Sequence, residues 1–208
     1  MKKEKIYRLS ITGIMIAILI IMAFTPLGYL KIGVLSITFL TIPIIIGAVT
    51  NGPVVGAILG LCFGITSFVQ CFGMDAFGTA LMQISVWKTA VMCLVPRILI
   101  GVICGFVYKG LSKTKMPAAV QYGISAFSAP LTNTILFMSC LMGFFWGTKL
   151  TYVVDGQSVE FAIGGMKVFQ FLFAMVGVNG IVELAVCTVL GTLILIPLQK
   201  AVSKYQLS

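Results

Sequence analysis

The stretch Asn51-Gly52-Pro53-Val-Val-Gly56-Ala-Ile-Leu-Gly60-Leu-Cys-Phe-Gly64-Ile-Thr-Ser-Phe68 places four glycines at intervals of four residues within an apolar sequence. On an α-helix this spacing forms a slanted groove without side chains, so a neighbouring helix can approach backbone to backbone. The pattern therefore predicts a helix that packs closely in a lipid bilayer. The neighbour is either another helix of this chain or a helix of a partner subunit.

The composition of the 208 residues is typical of a membrane protein. Hydrophobic residues make up 60% of the chain, charged residues make up 9%, and the mean hydropathy is +1.13. A soluble domain carries about 25% charged residues, so the composition excludes that class. We predict an all-α integral membrane protein, a single membrane domain over residues 1–208 whose six transmembrane helices cover 9–26, 38–50, 53–70, 87–108, 118–146 and 169–198.

The basic residues predict the orientation of this bundle. Six spans place three basic clusters on one side of the membrane, and the positive-inside rule makes that side cytoplasmic, with both termini inside. The net charge of +9 then reflects topology, and we expect no nucleic-acid partner. The clusters are Lys2, Lys3, Lys5 and Arg8; Lys109, Lys113 and Lys115; and Lys200 and Lys204.

Two ionisable residues lie in the middle of predicted spans, Arg97 in the fourth and Glu183 in the sixth. Each would cost about 2.5 to 3.5 kcal/mol at a lipid-facing helix centre, so both are expected to face the interior of the bundle. One hypothesis is a direct Arg97–Glu183 ion pair. Such a pair either contributes to a binding site or only fixes the register of the helices.

Two asparagines and two prolines mark the same interior. The amides of Asn133 and Asn179 offer donors and an acceptor to a small polar molecule, or they join helices to one another. Pro96 and Pro130 each remove a backbone hydrogen bond within a span, which lipid tolerates only where neighbouring groups satisfy the freed carbonyl. These residues indicate an interior site near Arg97 and Asn133.

Several functional classes lack their motifs in this chain. No phosphate-binding loop of the type G-x-x-x-x-G-K-[ST] is present, and neither H-E-x-x-H nor G-x-S-x-G occurs. The chain has no histidine, and its six cysteines include no C-x-x-C pair. We therefore predict a protein that is not an enzyme and has neither a metal site nor a cofactor.

A series of motifs follows one order along nearly the whole chain, and in this order it resembles the substrate-binding S component of an energy-coupling factor (ECF) vitamin transporter. The motifs are Gly13-Ile-Met-Ile-Ala17, Gly28-Tyr-Leu-Lys31-Ile-Gly33, Leu35-Ser36-Ile-Thr38, Ile42-Pro43-Ile-Ile-Ile-Gly47, Gly52-Pro53-Val-Val-Gly56, Phe77-Gly78, Val95-Pro96-Arg97-Ile-Leu-Ile-Gly101, Leu131-Thr132-Asn133-Thr134 and Asn179-Gly-Ile-Val-Glu183.

The resemblance implies a six-helix subunit of the cell membrane that captures a vitamin on the outer side with high affinity. It implies two further partners, a transmembrane coupling subunit and a pair of cytoplasmic ATPases. In members of this family, small residues in the first helix contact the coupling subunit. The residues at these positions in this sequence are Gly13 and Ala17. Because these residues already offer a docking face, we favour packing of the glycine stretch inside the bundle over a role at the partner interface.

Within the family the chain is most similar to the pantothenate-type branch, and a carboxylate ligand would be attracted by Arg97, Lys88 or Lys31. Riboflavin or another vitamin is the alternative substrate. For riboflavin, four aromatic residues offer stacking surfaces: Tyr29, Phe77, Trp87 and Trp146. A solitary proton- or ion-coupled carrier and a membrane scaffold are alternatives from other classes. The candidate substrate-binding residues are Arg97, Asn133, Asn179, Glu183, Trp87, Lys31 and Phe77.

Overall fold

The computed structural model describes residues 2–32, 35–154, 157–163 and 167–206. Each predicted span overlaps a helix, and the connecting segments at one end of the bundle, here called the hairpin end, carry two β-hairpins and a short helix. The elements are α1 (Lys2–Ala23), β1 (Tyr29–Ile32), β2 (Leu35–Thr38), α2 (Thr41–Asn51), α3 (Pro53–Gln70), α4 (Ala76–Ile84), α5 (Val86–Leu111), α6 (Ala118–Phe145), β3 (Thr148–Val154), β4 (Gln157–Ile163) and α7 (Lys167–Gln206).

Four segments in the described part of the chain are long and apolar enough to cross a membrane: Pro53–Gln70, Val86–Leu111, Ala118–Phe145 and Gly180–Lys200. Arg8–Ala23 and Thr41–Asn51 are apolar but shorter. Large apolar side chains on several of these helices are exposed, including Ile14, Ile58, Ile65, Ile135 and Leu193. Such surfaces suit lipid rather than water.

Helix α2 lies at the centre of the bundle. Every residue from Thr41 to Val49 is buried, and the helix contacts α1, α3, α5, α6 and α7. A helix that is apolar on all sides is stable only when it is surrounded. The run Ile42–Ile46 therefore packs against other helices, and the bundle's main hydrophobic core forms around it.

The glycine stretch packs against α5. A Cβ atom added at Gly56 would overlap the carbonyl oxygen of Gly101, and one added at Gly60 would overlap the carbonyl oxygen of Arg97. A Cβ at Gly64 would lie 3.0 Å from the carbonyl oxygen of Cys93. The two backbones are thus in contact at three positions over about two helical turns, and the stretch serves the internal packing of the bundle.

The hairpin end differs from the sequence prediction. The helices of the bundle agree with the all-α prediction, but the connections between the predicted spans contain two antiparallel strand pairs, β1–β2 and β3–β4, and the helix α4. Asp75 caps the N-terminus of α4, and its carboxylate accepts a hydrogen bond from the Gly78 amide at 2.7 Å. Buried Leu81 of α4 and Leu150 of β3 share a second hydrophobic cluster with Phe145.

Two free cysteines are in contact where the end of α3 meets α5, and they provide a test of this packing. The sulfur atoms of Cys71 and Cys93 lie 3.8 Å apart, and both residues are buried. A disulfide needs the sulfurs to approach to about 2.05 Å. We expect oxidation by copper phenanthroline to join Cys71 to Cys93, detected as a cross-linked peptide by mass spectrometry.

The matched control is Cys93→Ala, which should leave Cys71 as a free thiol under the same treatment. A dominant disulfide between Cys71 and any other cysteine would contradict the packing of α3 on α5.

Candidate functional site

Pro96 and Arg97 together build a cationic group into the interior of α5. Proline has no N–H, so the carbonyl oxygen of Met92, four residues earlier, receives no helical hydrogen bond from position 96. The Nη1 atom of Arg97 donates to this oxygen at 2.8 Å. The proline therefore creates the acceptor that positions the arginine, which is how a freed carbonyl is satisfied within a membrane helix.

The guanidinium of Arg97 lies between two aromatic rings. Its Cζ atom is 5.5 Å from the ring centre of Phe63 on α3 and 5.1 Å from that of Phe137 on α6, distances typical of cation–π contacts. Arg97 is 9% exposed, and its Nε atom has no hydrogen-bond partner among the described residues. A buried N–H group without a partner is costly, so this edge of the guanidinium is suited to receive an acceptor.

Asn133 and Glu183 form the second half of the site. The Asn133 Nδ2 atom donates to Glu183 Oε1 at 3.5 Å, near the long limit for a hydrogen bond. Glu183 is 8% exposed. Within the described part of the chain the buried Asn133 Oδ1 has no hydrogen-bond partner. Arg97, Asn133 and Glu183 are hereafter called the polar cluster.

The hypothesis of a direct Arg97–Glu183 ion pair is wrong. No salt bridge at 4.0 Å or less joins the two side chains, although the charge of Arg97 acts on Glu183 through space. The physical reason is that Arg97 is held by Met92 and by two aromatic rings, while Glu183 is held by Asn133. Each of the two side chains is thus held by other groups, and their charged atoms are not in contact.

The open end of hairpin β1–β2 lies beside the polar cluster. Tyr29 and Thr38 are paired residues of this hairpin. The Thr38 carbonyl oxygen accepts a hydrogen bond at 3.6 Å from the sulfur of Cys187, which lies one turn after Glu183 on α7, and Tyr29 lies close enough to Arg97 to be affected by its charge. Burial raises the pKa of the Tyr29 hydroxyl, and the positive charge of Arg97 opposes that rise. At neutral pH Tyr29 is therefore a neutral hydrogen-bonding group beside the cation.

The other candidate residues lie outside this cluster. Trp87 is 77% exposed, at the start of α5. Phe77 packs against the second hydrophobic cluster. Lys88, an alternative cation for a carboxylate, instead donates from Nζ to the Phe144 carbonyl oxygen at 3.0 Å, near the end of α6. It therefore satisfies a carbonyl that the helix itself leaves free.

Two further candidates, Lys31 and Asn179, have side chains outside the described part of the structure. The backbone of Asn179 lies in α7, one turn before Glu183. The proposed docking residues Gly13 and Ala17 lie on α1 and are exposed, and a Cβ at Gly13 would meet no atom within 4 Å.

Sequence reasoning missed the supporting residues of the site. Phe63 and Phe137 were not singled out, although Phe137 follows Asn133 by one helical turn and thus shares its face. The sequence indicates Gln70 only as the end of a predicted span. A search for aromatic residues one turn from each buried polar residue would have found Phe137, whereas Phe63 comes close to Arg97 only through the packing of α3 on α5.

The sequence matches a known family of membrane proteins. The family model for the substrate-specific component of ECF transporters matches residues 7–195. The chain belongs to this family. A curated relative, the pantothenic acid transporter PanT of Lactococcus lactis subsp. cremoris (strain MG1363), is 29% identical over 213 aligned positions, which cover 97% of this chain and 98% of the relative.

Membership of the ECF family establishes the general function. The chain is the substrate-specific component of a vitamin transporter, a multi-pass protein of the cell membrane, and not an enzyme. The resemblance inferred from the order of the sequence motifs is confirmed. Buried polar atoms without partners, such as Arg97 Nε and Asn133 Oδ1, are groups that a bound substrate can satisfy.

Proposed function

We propose that this ECF component is the high-affinity pantothenate-binding subunit of an ATP-driven importer. The chain would form one membrane domain of six spans with both termini in the cytoplasm, so that the hairpin end faces outward. The relative PanT is named as a pantothenic acid transporter, and the polar cluster offers groups that suit this ligand.

The observation that carries the proposal is the set of unsatisfied groups in the polar cluster. Pantothenate combines a carboxylate with an amide and two hydroxyl groups. Arg97 supplies a buried cation with an unpartnered N–H, and Asn133 supplies an unpartnered acceptor. Ligand sites typically place a few such polar groups within apolar walls, here Phe63 and Phe137.

The aromatic residues favour pantothenate over riboflavin. A flavin ring needs aromatic faces on which to stack. Of the four aromatic residues that the sequence suggests for this role, Trp87 and Trp146 are 77% and 61% exposed, and Phe77 packs against the second hydrophobic cluster. Phe63 and Phe137 face the guanidinium of Arg97.

The proposed partners are those that the ECF family implies, a transmembrane coupling subunit and two cytoplasmic ATPase subunits that supply the energy. The sequence itself has no phosphate-binding loop for ATP, which agrees with this arrangement. The exposed face of Gly13 and Ala17 on α1 offers a surface where a helix of the coupling subunit can approach closely.

Binding and transport can be tested separately. We expect the purified chain to contain pantothenate detectable by mass spectrometry, and to bind added pantothenate in calorimetric titration but not riboflavin. Proteoliposomes that contain the chain alone should show no pantothenate uptake. Adding the coupling subunit, the two ATPases and internal ATP should start uptake.

The outcomes distinguish the alternatives. Tight binding of riboflavin would replace the proposed vitamin. Uptake by the chain alone would indicate a solitary carrier, and failure to bind any small molecule would favour a scaffold.

A further inference from the structure

We propose that the hairpin end carries an interfacial anchor, a surface that contacts phospholipids where their headgroups meet the acyl chains. The anchor consists of the α3–α4 turn, Phe72-Gly73-Met74, and the two exposed tryptophans, Trp87 and Trp146. Such a surface requires only that the chain crosses a membrane, whatever vitamin it binds. The hairpin end then lies in the boundary between lipid and water, with α4 at the membrane surface.

Both tryptophans of the chain lie at this one end of the bundle. Trp87 is the second residue of α5, and Trp146 directly follows the last residue of α6. The two helix ends are adjacent, because Lys88 Nζ donates to the Phe144 carbonyl oxygen. An aromatic ring with a polar N–H is favoured at the level of the lipid headgroups. Two exposed tryptophans at adjacent helix ends therefore indicate one boundary of the membrane.

The α3–α4 turn continues the lipid-facing stripe of α3. Exposed apolar residues recur along this helix at helical spacing, as Leu61, Ile65 and Val69. Phe72 follows three residues later at 68% exposure, and its backbone N–H donates to the Val69 carbonyl oxygen at 3.1 Å. Met74 is 60% exposed. Lipid that covers the exposed stripe of α3 therefore reaches the turn without a break.

The lengths of α3 and α5 agree with this depth. Helix α3 has 18 residues and spans about 27 Å, slightly less than the hydrocarbon core of about 30 Å. It is too short to raise the turn that follows it out of the membrane. Along α5, Trp87 and Lys109 lie about 33 Å apart. Because Lys109 begins a basic cluster, which is typical of the opposite boundary, the two residues are separated by about one membrane thickness.

Charged residues lie beside two parts of the anchor. Asp75 follows Met74 and Lys88 follows Trp87, and both charged residues are exposed. An apolar side chain next to a charged one suits the boundary region, where acyl chains and headgroups meet. Between these positions α4 has nine residues and buries Leu81 in the second hydrophobic cluster. A helix of this length cannot cross a membrane, so α4 lies along its surface.

Tryptophan fluorescence tests the anchor in the full-length wild-type protein, because the chain contains no tryptophan other than Trp87 and Trp146. The protein is reconstituted into phosphatidylcholine vesicles whose acyl chains carry bromine, a contact quencher, either close to the glycerol or near the chain ends. Bromine close to the glycerol should quench the fluorescence at least about twofold more strongly than bromine near the chain ends.

The turn is tested by Phe72→Trp in a protein that also carries Trp87→Phe and Trp146→Phe. Its single tryptophan should show the same preference for bromine close to the glycerol. The matched control is Ile135→Trp in the same background, because Ile135 is 55% exposed within α6 and about 15 Å from its end. This control should be quenched more strongly by bromine near the chain ends. If these variants do not fold, the wild-type measurement decides the matter.

Three results would count against the anchor. Equal quenching of the wild-type protein by the two lipids, or stronger quenching by bromine near the chain ends, overturns it. Quenching by neither lipid would place the tryptophans in water or against a second copy of the chain, and overturns it as well. Loss of lipid quenching in the Phe72→Trp variant alone overturns the part assigned to the turn. None of these measurements involves pantothenate, so the anchor and the proposed vitamin can fail separately.

Discussion

Gly101→Ala is expected to lower the unfolding midpoint of the detergent-purified protein by about 5 to 10 °C. A Cβ atom at this position would overlap the carbonyl oxygen of Gly56 across the contact between α3 and α5. The obstacle is backbone on both sides, so no side chain can rotate to make room. The helices would have to separate. This would also displace Arg97, which lies one turn before Gly101 on α5. Ligand affinity should therefore fall together with stability.

Gly110→Ala is the matched control on the same helix. A Cβ at Gly110 would meet no atom within 4 Å, and alanine is favoured over glycine in a helix by about 1 kcal/mol. This variant should melt at the wild-type temperature or slightly above it. Unchanged stability in Gly101→Ala, measured by fluorescence-detected thermal unfolding, would contradict the backbone contact between α3 and α5.

Asn133→Asp is expected to weaken pantothenate binding by about 100-fold or more, because the new carboxylate would lie beside that of Glu183 in a buried site. The amide that is lost now donates to Glu183 Oε1 at 3.5 Å. Asn133→Ala removes the same hydrogen bond without adding a charge, so its effect should be about tenfold. Calorimetric titration measures both.

Glu183→Gln tests whether repulsion between two carboxylates causes the difference in pantothenate affinity between Asn133→Asp and Asn133→Ala. In the double variant Asn133→Asp, Glu183→Gln the site again holds one carboxylate and one amide, and affinity should return to within about tenfold of the wild-type value. Thermal stability should recover in parallel. An additive loss in the double variant would show that the two side chains act independently and would contradict the contact between them.

Much of the bundle follows from the sequence because a helix that crosses a membrane requires a long apolar run. An apolar run interrupted by breakers predicts where a helix begins and ends, and α3 covers Pro53–Gln70 as predicted. Charged residues in such runs must avoid lipid, so the burial of Arg97 and Glu183 was also predictable. The family was recognisable because its motifs keep their order along the chain.

The hairpin end did not follow from the sequence. Helix α4 depends on a capping contact between Asp75 and Gly78 and on burial against β3, which lies about seventy residues later in the chain. Such short elements are stabilised by distant partners rather than by their own periodicity. The four strands show the same dependence, since each exists only as half of a hairpin.

By itself, then, the sequence determined a membrane bundle, its helices and which polar residues must turn inward, because lipid excludes backbone polar groups and charges wherever they occur. Only the tertiary structure decided which groups meet. The contact of α3 with α5 brings Phe63 to Arg97. The Met92 carbonyl oxygen, which Pro96 leaves free, accepts a hydrogen bond from Nη1 of that arginine. The ion pair with Glu183 is therefore replaced by two separated charges, because distances between helices depend on side-chain and backbone contacts that no spacing along one helix encodes.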